Sequence, residues 1–219
     1  DEIEFLRAET ERRYGVRVLY SGADMGRPEQ VRGLAALAQA EFGRVDILVN
    51  NAGTSSRGAF EEVSDAVWQA DLDLKLFGAI RMSRLVLPEM IRAGGGHILN
   101  VTAIAGKAPG PGSSPTAISR AAGLALTKVL SKELAPHNIL VNAVCIGLIR
   151  SEQIERAALT RFPDLPLDDA LARMGEGIPL GRIGRPEEAG DLIAYLCSPR
   201  NSYVTGVAIN IDGGTSPVL

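Results

Sequence analysis

The sequence has few of the residues that build metal sites, disulfide frameworks or thiol catalysis. Its 219 residues include two cysteines, Cys145 and Cys197, and two histidines, His97 and His137. Both cysteines stand among apolar neighbours, a setting typical of buried free thiols in a reducing compartment. We therefore expect no disulfide and no metal site, and we expect a cytoplasmic protein.

A strong charge of one sign and a long apolar run are missing as well. The net charge is −3, and no run of lysine or arginine stands out, so nucleic acids and anionic membranes are poor candidate partners. The longest apolar stretch, near 139–149, is interrupted by Asn142 and Gly147 and is too short to span a bilayer. We expect neither a nucleic acid nor a membrane as a partner, and the small-molecule substrate or ligand that we expect instead rests on a resemblance carried by the motifs below.

An alternation of helix and strand patterns is present. Helices are predicted over 1–14, 28–42, 64–93, 115–134 and 186–196, and strands over 16–20, 45–50, 97–102, 139–144 and 207–212. This alternation predicts an α/β fold, a doubly wound parallel sheet with helices on both faces and a ligand site at the carboxyl ends of its strands. We expect one domain over 1–219. Within it, the irregular region 150–183 is typical of a substrate loop or lid.

Three local features carry more specific expectations. The nearly continuous apolar run at 45–50 predicts a strand that is covered on both sides. Pro88 predicts a kink in the long helix. Ser114 is predicted to cap a helix whose first residue is Pro115.

Four motifs occur in a characteristic order: "NNAG" (50–53), "NVTAIAG" (100–106), "SRAAGLALTKVLSKELAPHNILVNAVCIG" (119–147) and "SYVTGVAINIDGG" (202–214). Together they resemble the short-chain dehydrogenase/reductase family, especially 3-oxoacyl-carrier-protein reductases, over nearly the whole chain. The resemblance implies a Rossmann-like domain, NAD or NADP as cofactor, and a carbonyl or alcohol substrate. It also implies a homo-oligomer, a dimer or tetramer, paired through the helices over 64–93 and 115–134.

The resemblance assigns six positions to the cofactor site, namely Asp24, Asn50, Ala52, Gly53, Arg120 and Gly147. Gly53 allows a close approach of the backbone to a ligand, and the asparagines of "NNAG" can tie neighbouring strands together. Asp24 matches a family position that accepts a hydrogen bond from adenine. Its residue type equally allows it to be a loop carboxylate that caps the helix near Arg27–Pro28, and both interpretations stay open here.

The family's opening unit has no counterpart in these residues. Members begin with a strand, a glycine-rich TGxxxGxG turn and a helix whose N-terminal amides hold the pyrophosphate. No such pattern occurs in the sequence, so the predicted sheet lacks its first strand–helix–strand unit. We expect the polypeptide to extend further upstream; the alternative is a truncated and rearranged chain. The residue that normally selects NAD or NADP would lie in that unit.

The family's catalytic tetrad of Asn, Ser, Tyr and Lys is replaced at every position, by Lys75, Ala103, Thr116 and Arg120. Thr102 adjoins Ala103, and the family's "PGxxxT" proline and threonine are matched by Ile146 and Ser151. One neighbouring cation does not make an aliphatic hydroxyl a competent acid, and arginine has no useful proton to donate. The ordinary mechanism is therefore absent.

We expect the candidate catalytic residues Lys75, Thr102, Thr116 and Arg120 to converge. Two cations and two hydroxyls suit an anion such as a carboxylate or phosphate. A desolvated Lys75 near Arg120 could also serve as an acid or base. The alternative is that Lys75 faces solvent or pairs with Asp71 or Asp73, while Thr116 caps or packs.

Three functions remain open on the sequence. The first is an NAD(P)-linked oxidoreductase with a substituted proton donor. The second is a non-catalytic relative that binds a nucleotide or ligand as a sensor or assembly subunit, and the third is an enzyme of another reaction class in the same cleft. Consumption of a nicotinamide cofactor would separate the first from the second.

Overall fold

The computed structural model describes residues 2–219, in which helices and strands alternate along the chain. The helices are α1 (Glu2–Tyr14), α2 (Pro28–Phe42), α3 (Asp65–Leu72), α4 (Gly78–Ala93), α5 (Thr116–Glu133), α6 (Glu152–Arg161), α7 (Leu167–Gly175) and α8 (Pro186–Leu196). The strands are β1 (Ile47–Asn50), β2 (Arg57–Gly58), β3 (Gly96–Ala103), β4 (Ser114–Pro115), β5 (Ile139–Ile146) and β6 (Ala208–Ile211).

The central sheet is parallel and has the strand order β1–β3–β5–β6. Asn50 of β1 lies beside Asn100 of β3, which in turn lies beside Ala143 of β5. The predicted α/β fold with a parallel sheet is thus confirmed. Because all four strands run in one direction, the segments that follow them gather at one edge of the sheet. There, the short strands β2 and β4 form an antiparallel ribbon.

Apolar side chains cover both faces of the sheet. On one face, Val31 of α2 and Met90 of α4 are fully buried against Ile98 of β3 and Val141 of β5. On the other face, Leu196 of α8 packs against Leu99, Val144 and their neighbours. Burial of one such side chain contributes about 1.5–3 kcal/mol relative to exposure. The two helical layers thereby hold the carboxyl edge of the sheet in place.

The first part of the chain departs from two expectations. Residues 16–20 form no strand, because no strand among the described residues lies beside them to pair with their backbone. β1 is an edge strand, and the prediction that it is covered on both sides is wrong. Ile47 and Val49 are 47% and 37% exposed, because described residues cover only the face of β1 that carries Leu48.

The long helix predicted over 64–93 is interrupted at a different place from the one expected. A π-helical turn, Asp73–Phe77, separates α3 from α4. Pro88 lies inside α4, and the kink expected there stays a prediction. Insertions of this type are frequent at functional sites, and this one carries Lys75.

The entry into α5 also differs from the expectation. Ser114 and Pro115 form β4, which pairs with β2, and the helix begins at Thr116. The side chain of Ser114 makes no capping hydrogen bond. The ribbon pairing takes the place of the predicted cap, and it brings Thr116 next to the loop that follows β1.

Among the described residues, no helix combines the length and the apolar character needed to cross a membrane.

Candidate active site

Two neighbouring cavities lie at the carboxyl edge of the sheet. The larger has a volume of about 630 Å³ and is lined by residues from the loops after β1, β3 and β5 and from the starts of α5 and α6. The smaller has a volume of about 180 Å³ and is lined by Asn50, Ala52, Lys75 and Thr102, among others. The two share Arg120 in their walls. The edge at which the sequence predicts a ligand site therefore contains enclosed space.

Lys75 is held inside the protein by a carboxylate. Its side chain is 3% exposed and forms an ion pair with Asp71, whose side chain is completely buried. The ammonium also donates a hydrogen bond of 2.9 Å to Thr116 Oγ1. Asp71 stands at the end of α3 and Lys75 in the π-helical turn, so one continuous segment supplies both charges.

The hydroxyl of Thr116 is bound on several sides. It donates to the carbonyl oxygen of Ser56 at 2.8 Å and accepts from the Ser56 amide at 2.9 Å. Asp71 Oδ2 lies 3.3 Å away, and Asp71 Oδ1 accepts a 2.5 Å hydrogen bond from Ser119 Oγ. The result is a buried network in which one carboxylate serves an ammonium and two hydroxyls.

The charge of Lys75 follows from this setting. Burial lowers the pKa of Lys75 below that of an exposed lysine, the Asp71 carboxylate acts against that shift, and the positive charge of Arg120 adds to it. The alternative in which Lys75 pairs with Asp71 is therefore the one realised. The expectation that Lys75 and Arg120 jointly attract an anion needs correction, because Asp71 neutralises Lys75.

Arg120 lies between the two cavities with part of its hydrogen-bonding capacity unused. Its Nη1 donates to the carbonyl oxygen of Val101, whereas its Nε is buried without a partner. A Cβ atom at Gly53 would lie 2.8 Å from Arg120 Nη2, so a side chain at this position would displace the guanidinium from its present place. Burial also lowers the pKa of Arg120, yet an arginine keeps its proton in proteins.

Thr102 lies outside the hydrogen-bond network of Lys75 and Thr116, although we expected these residues to converge. It is 3% exposed and lines the smaller cavity, but its hydroxyl faces the neighbouring strand. Its contacts are Cys145 Sγ at 3.2 Å and the carbonyl oxygen of Val144 at 3.4 Å. The reason is that Thr102 lies directly beside Cys145 in the parallel register of β3 and β5. Both cysteines are free and buried, and burial raises the pKa of the Cys145 thiol.

The positions that the resemblance assigns to the cofactor lie in different parts of this edge. Asn50 Nδ2 donates to Asn100 Oδ1 at 2.9 Å, which ties β1 to β3. Ala52 lines the smaller cavity, and Gly53 and Gly147 line the larger one. A Cβ atom at Gly147 would lie 2.7 Å from the Cβ of Asp212, so glycine is required there for the close approach of the two loops.

Asp24 lines neither cavity, although its neighbour Met25 lines the smaller one. Its Oδ1 accepts from the Gly26 amide at 2.8 Å, and its Oδ2 accepts from Arg27 Nε at 3.3 Å. Asp24 therefore closes the turn before α2 without capping the helix, which has no side-chain cap, and the contact with adenine stays a prediction.

Asp71 is the site residue that the sequence analysis did not single out as functional. The available signal was its spacing, since an acid four residues before Lys75 on a helix lies next to it on the same face and can form an ion pair. Its complete burial, which makes the pair part of the site, was not visible from spacing. Among residues 2–219, no group of three or more His, Cys, Asp or Glu side chains could hold a metal ion.

Comparison with known proteins agrees with this architecture. A family model described as enoyl-(acyl carrier protein) reductase matches residues 4–216. The 3-oxoacyl-[acyl-carrier-protein] reductase FabG of Thermotoga maritima is 37% identical over 186 residues, which are 85% of this chain and 72% of the relative.

Two solved structures extend the comparison to the fold and to bound ligands. L-sorbose reductase from Gluconobacter frateurii, solved with NADPH and L-sorbose, aligns with a TM-score of 0.95 and 32% identity over 100% of this chain and 84% of its own. A short-chain oxidoreductase from Pseudomonas aeruginosa PAO1 was solved with NADPH and contains an atypical catalytic center. It aligns with a TM-score of 0.87 and 33% identity over 97% of this chain and 81% of its own. On these matches, the chain belongs to the short-chain dehydrogenase/reductase family.

Proposed function

We propose that the chain is an NAD(P)(H)-linked oxidoreductase that interconverts a carbonyl group and an alcohol, with Lys75 supplying the proton through Thr116. The observation that carries this proposal is the 2.9 Å hydrogen bond from Lys75 Nζ to Thr116 Oγ1. Thr116 lines the larger cavity, and Lys75 lines the smaller one. The threonine hydroxyl thus stands between a buried ammonium and the space open to a substrate.

The residues around Arg120 fit the sugar beside a nicotinamide ring. Arg120 lines both cavities, and a ribose hydroxyl is an acceptor for the N–H groups of a guanidinium. Gly53 keeps the backbone free of a side chain at the same point. A bound nicotinamide dinucleotide supplies or accepts the hydride in such reactions. The 219 residues contain no glycine-rich turn for the pyrophosphate, so this fit concerns the nicotinamide end alone.

The proton route uses groups already in hydrogen-bond contact. During reduction, the Thr116 O–H bond breaks towards the developing alkoxide in the larger cavity, while Lys75 replaces that proton along the existing hydrogen bond. The hydroxyl proton has only to rotate from the carbonyl oxygen of Ser56 towards the substrate. Asp71 then faces a neutral amine, and solvent returns the proton to Lys75.

Burial brings Lys75 closer to the range in which an acid works at neutral pH. Because desolvation lowers the pKa of Lys75, the ammonium gives up its proton more readily than an exposed lysine. Asp71 limits that shift and keeps Lys75 charged in the resting state. The ion pair of Asp71 and Lys75 therefore provides a buried proton source in the wall of the smaller cavity.

The Pseudomonas relative supports the proposal by example. That protein has an atypical catalytic center and binds NADPH. In that relative, an atypical catalytic center and NADPH binding thus occur together.

A second candidate is a binding protein without turnover. It is favoured by the Thr116 hydroxyl, whose single proton and two lone pairs are already engaged by Ser56 and Lys75. In this candidate the network holds the ribbon of β2 and β4 against α5, and Arg120 binds a ligand that is released unchanged. Turnover separates the two candidates.

The experiment follows nicotinamide absorbance with a panel of ketones and alcohols in the wild type, Lys75→Met and Lys132→Met. Lys132 is an exposed lysine on α5 and serves as the matched control. We expect the rate to fall by about 10²–10⁴ in Lys75→Met, the usual contribution of a general acid, and to persist in Lys132→Met. Full activity in Lys75→Met would place the proton donor elsewhere.

A further variant guards against misfolding. Lys75→Met leaves the Asp71 carboxylate buried and unpaired, which is costly, so the double variant Asp71→Asn/Lys75→Met is measured alongside it. Dinucleotide binding in both variants serves as the folding control. Binding without any turnover in the wild type would favour the binding-protein candidate.

A further inference from the structure

The ionisable side chains that line the larger cavity are all positively charged. Among its described lining residues the only ionisable side chains are two arginines, Arg57 and Arg120, and no carboxylate faces the space. The acids of the first turn of α6 do not line it and are already paired, Glu152 with Arg156 and Glu155 with Arg150. The buried pair of Asp71 and Lys75 cancels its own charge. The cavity therefore presents two uncompensated positive charges.

Arg57 is held at the cavity by the short ribbon. It is the first residue of β2 and lies opposite Pro115 in the register with β4. Its side chain is exposed, and among residues 2–219 it forms no ion pair or hydrogen bond. A guanidinium that lines a cavity without a partner has its planar set of donors available to a ligand.

The position of Arg57 relates it to the proposed reacting group. The preceding residue, Ser56, binds the Thr116 hydroxyl through both its amide and its carbonyl oxygen. Arg57 is thus one residue along the chain from the contact that fixes Thr116. Because Arg57 and Thr116 both line the larger cavity, a ligand in that cavity can contact the two side chains together.

The remaining wall suits a short carbon chain. Its apolar members include Ile104 after β3, Ile146 at the end of β5, and Leu148, Ile149 and Ile154 in the segment that leads into α6. An apolar wall with two convergent cations is the arrangement expected of a pocket for a small organic anion.

We propose that the substrates of this site are short oxo acids, and the corresponding hydroxy acids, whose carboxylate is bound by Arg57. The substrate class rests on the proposed function, whereas the carboxylate site itself is testable without turnover. Arg57 is the specificity residue in this arrangement, because Arg120 binds the ribose of the cofactor in the proposed function.

The test compares the binding of acetoacetate with that of its uncharged methyl ester by calorimetry, in wild type, Arg57→Gln, Arg57→Lys and Arg200→Gln. Arg200 is an exposed arginine that lines none of the cavities at this edge. We expect the wild type to prefer acetoacetate by about tenfold or more, as for one charge-assisted hydrogen-bond pair. The preference should vanish in Arg57→Gln, persist in part in Arg57→Lys and be unchanged in Arg200→Gln.

Four outcomes would overturn the inference. Three of them are equal affinity for the ester and the acid in the wild type, a preference that survives in Arg57→Gln, and no measurable binding of either compound. A fourth is a loss of NADP⁺ affinity in Arg57→Gln with unchanged acetoacetate binding, which would assign the arginine to a dinucleotide phosphate. Charge-dependent binding without nicotinamide oxidation would support the carboxylate site and contradict the proposed function, so the two failures are distinguishable.

Discussion

At the scale of single residues, the site depends on one buried carboxylate. Asp71 accepts hydrogen bonds from Lys75 and Ser119 and lies within 3.3 Å of Thr116 Oγ1. Its negative charge is what allows an ammonium to remain charged at 3% exposure. Asp71 is therefore a positioning residue in the proposed reaction, since it acts on Lys75 and does not line the larger cavity.

Replacing Asp71 by asparagine should change the pH profile of reduction. Lys75 must be protonated to donate, so the reductive rate falls as pH rises through the pKa of Lys75. Because the Asp71 charge raises that pKa, its loss moves the falling limb to lower pH. On the alkaline side of the profile, we therefore expect the variant to lose its rate at a lower pH than the wild type does.

The matched control is Asp73→Asn. Asp73 is two residues away and binds Gln69 and Arg81 instead of Lys75, so the limb should keep its position. An unchanged limb in Asp71→Asn, with a normally folded protein, would contradict the role assigned to Asp71.

At the same scale, only part of the site could be predicted from the sequence. The changes at Lys75, Thr116 and Arg120 were visible by resemblance, and the contact between Lys75 and Thr116 follows from the fold that the resemblance implies. The choice between an anion pocket and an internal ion pair depends on the burial of Asp71. Burial of a single side chain depends on packing between α3 and α5, which no local pattern encodes.

At the scale of elements, sequence patterns located the helices better than their irregularities. α2 (Pro28–Phe42) and α8 (Pro186–Leu196) begin and end where amphipathic spacing and an initial proline predict. The π-helical turn at Asp73–Phe77 was not foreseen, because a helix and a π insertion have similar apolar spacing over one turn. Strand formation at 16–20 was predicted from composition, yet a strand needs a neighbour to pair with.

The start of α8 offers a test of element stability. The Glu188 carboxylate binds the Arg182 guanidinium and accepts a 2.7 Å hydrogen bond from the Arg185 amide. These contacts lower the pKa of Glu188 from the ordinary value of 4.5 to about 2. A carboxyl whose pKa falls on folding stabilises the fold above its unfolded pKa, and the contribution disappears as pH falls towards 2.

We therefore expect Glu188→Gln to lower the thermal unfolding midpoint at pH 7 by a few degrees, roughly the effect of losing one exposed cap. The difference from wild type should shrink as pH falls from about 5 to 3. Glu187→Gln removes a neighbouring first-turn charge without those contacts and should show a smaller effect. A difference that stays constant over this pH range would show that the contacts of Glu188 do not depend on its charge.

At the scale of the whole molecule, the order of four motifs was enough to predict the parallel sheet and the family. What composition and motifs did not reveal was the asymmetry of the sheet. β6 is followed by a chain segment that returns over the carboxyl edge, whereas β1 presents Ile47 and Val49 partly to solvent. Edge exposure is a property of which strands lie beside each other, so it follows from topology rather than from local sequence.

The outer faces of α4 and α5 bear on the assembly of the protein. Leu85 of α4 is 38% exposed and Val129 of α5 is 51% exposed, although both helices are otherwise anchored in the core. We propose, in line with the resemblance, that these faces pair in a homo-oligomer. Light scattering should then give at least twice the 23.2 kDa mass of the chain.

A charge placed on that face should separate the subunits. In Val129→Lys, pairing would bury an ammonium against apolar surface, which is strongly unfavourable, so the mass should fall to that of one chain. Leu37→Lys introduces the same charge on the exposed side of α2 and should leave the assembly intact. A wild type that scatters as a single chain, or a Val129→Lys variant that keeps the wild-type mass while folded, would exclude this face as the interface. Since Arg57, Thr116 and Lys75 all lie within one chain, the separated subunits should still bind the carboxylate ligand.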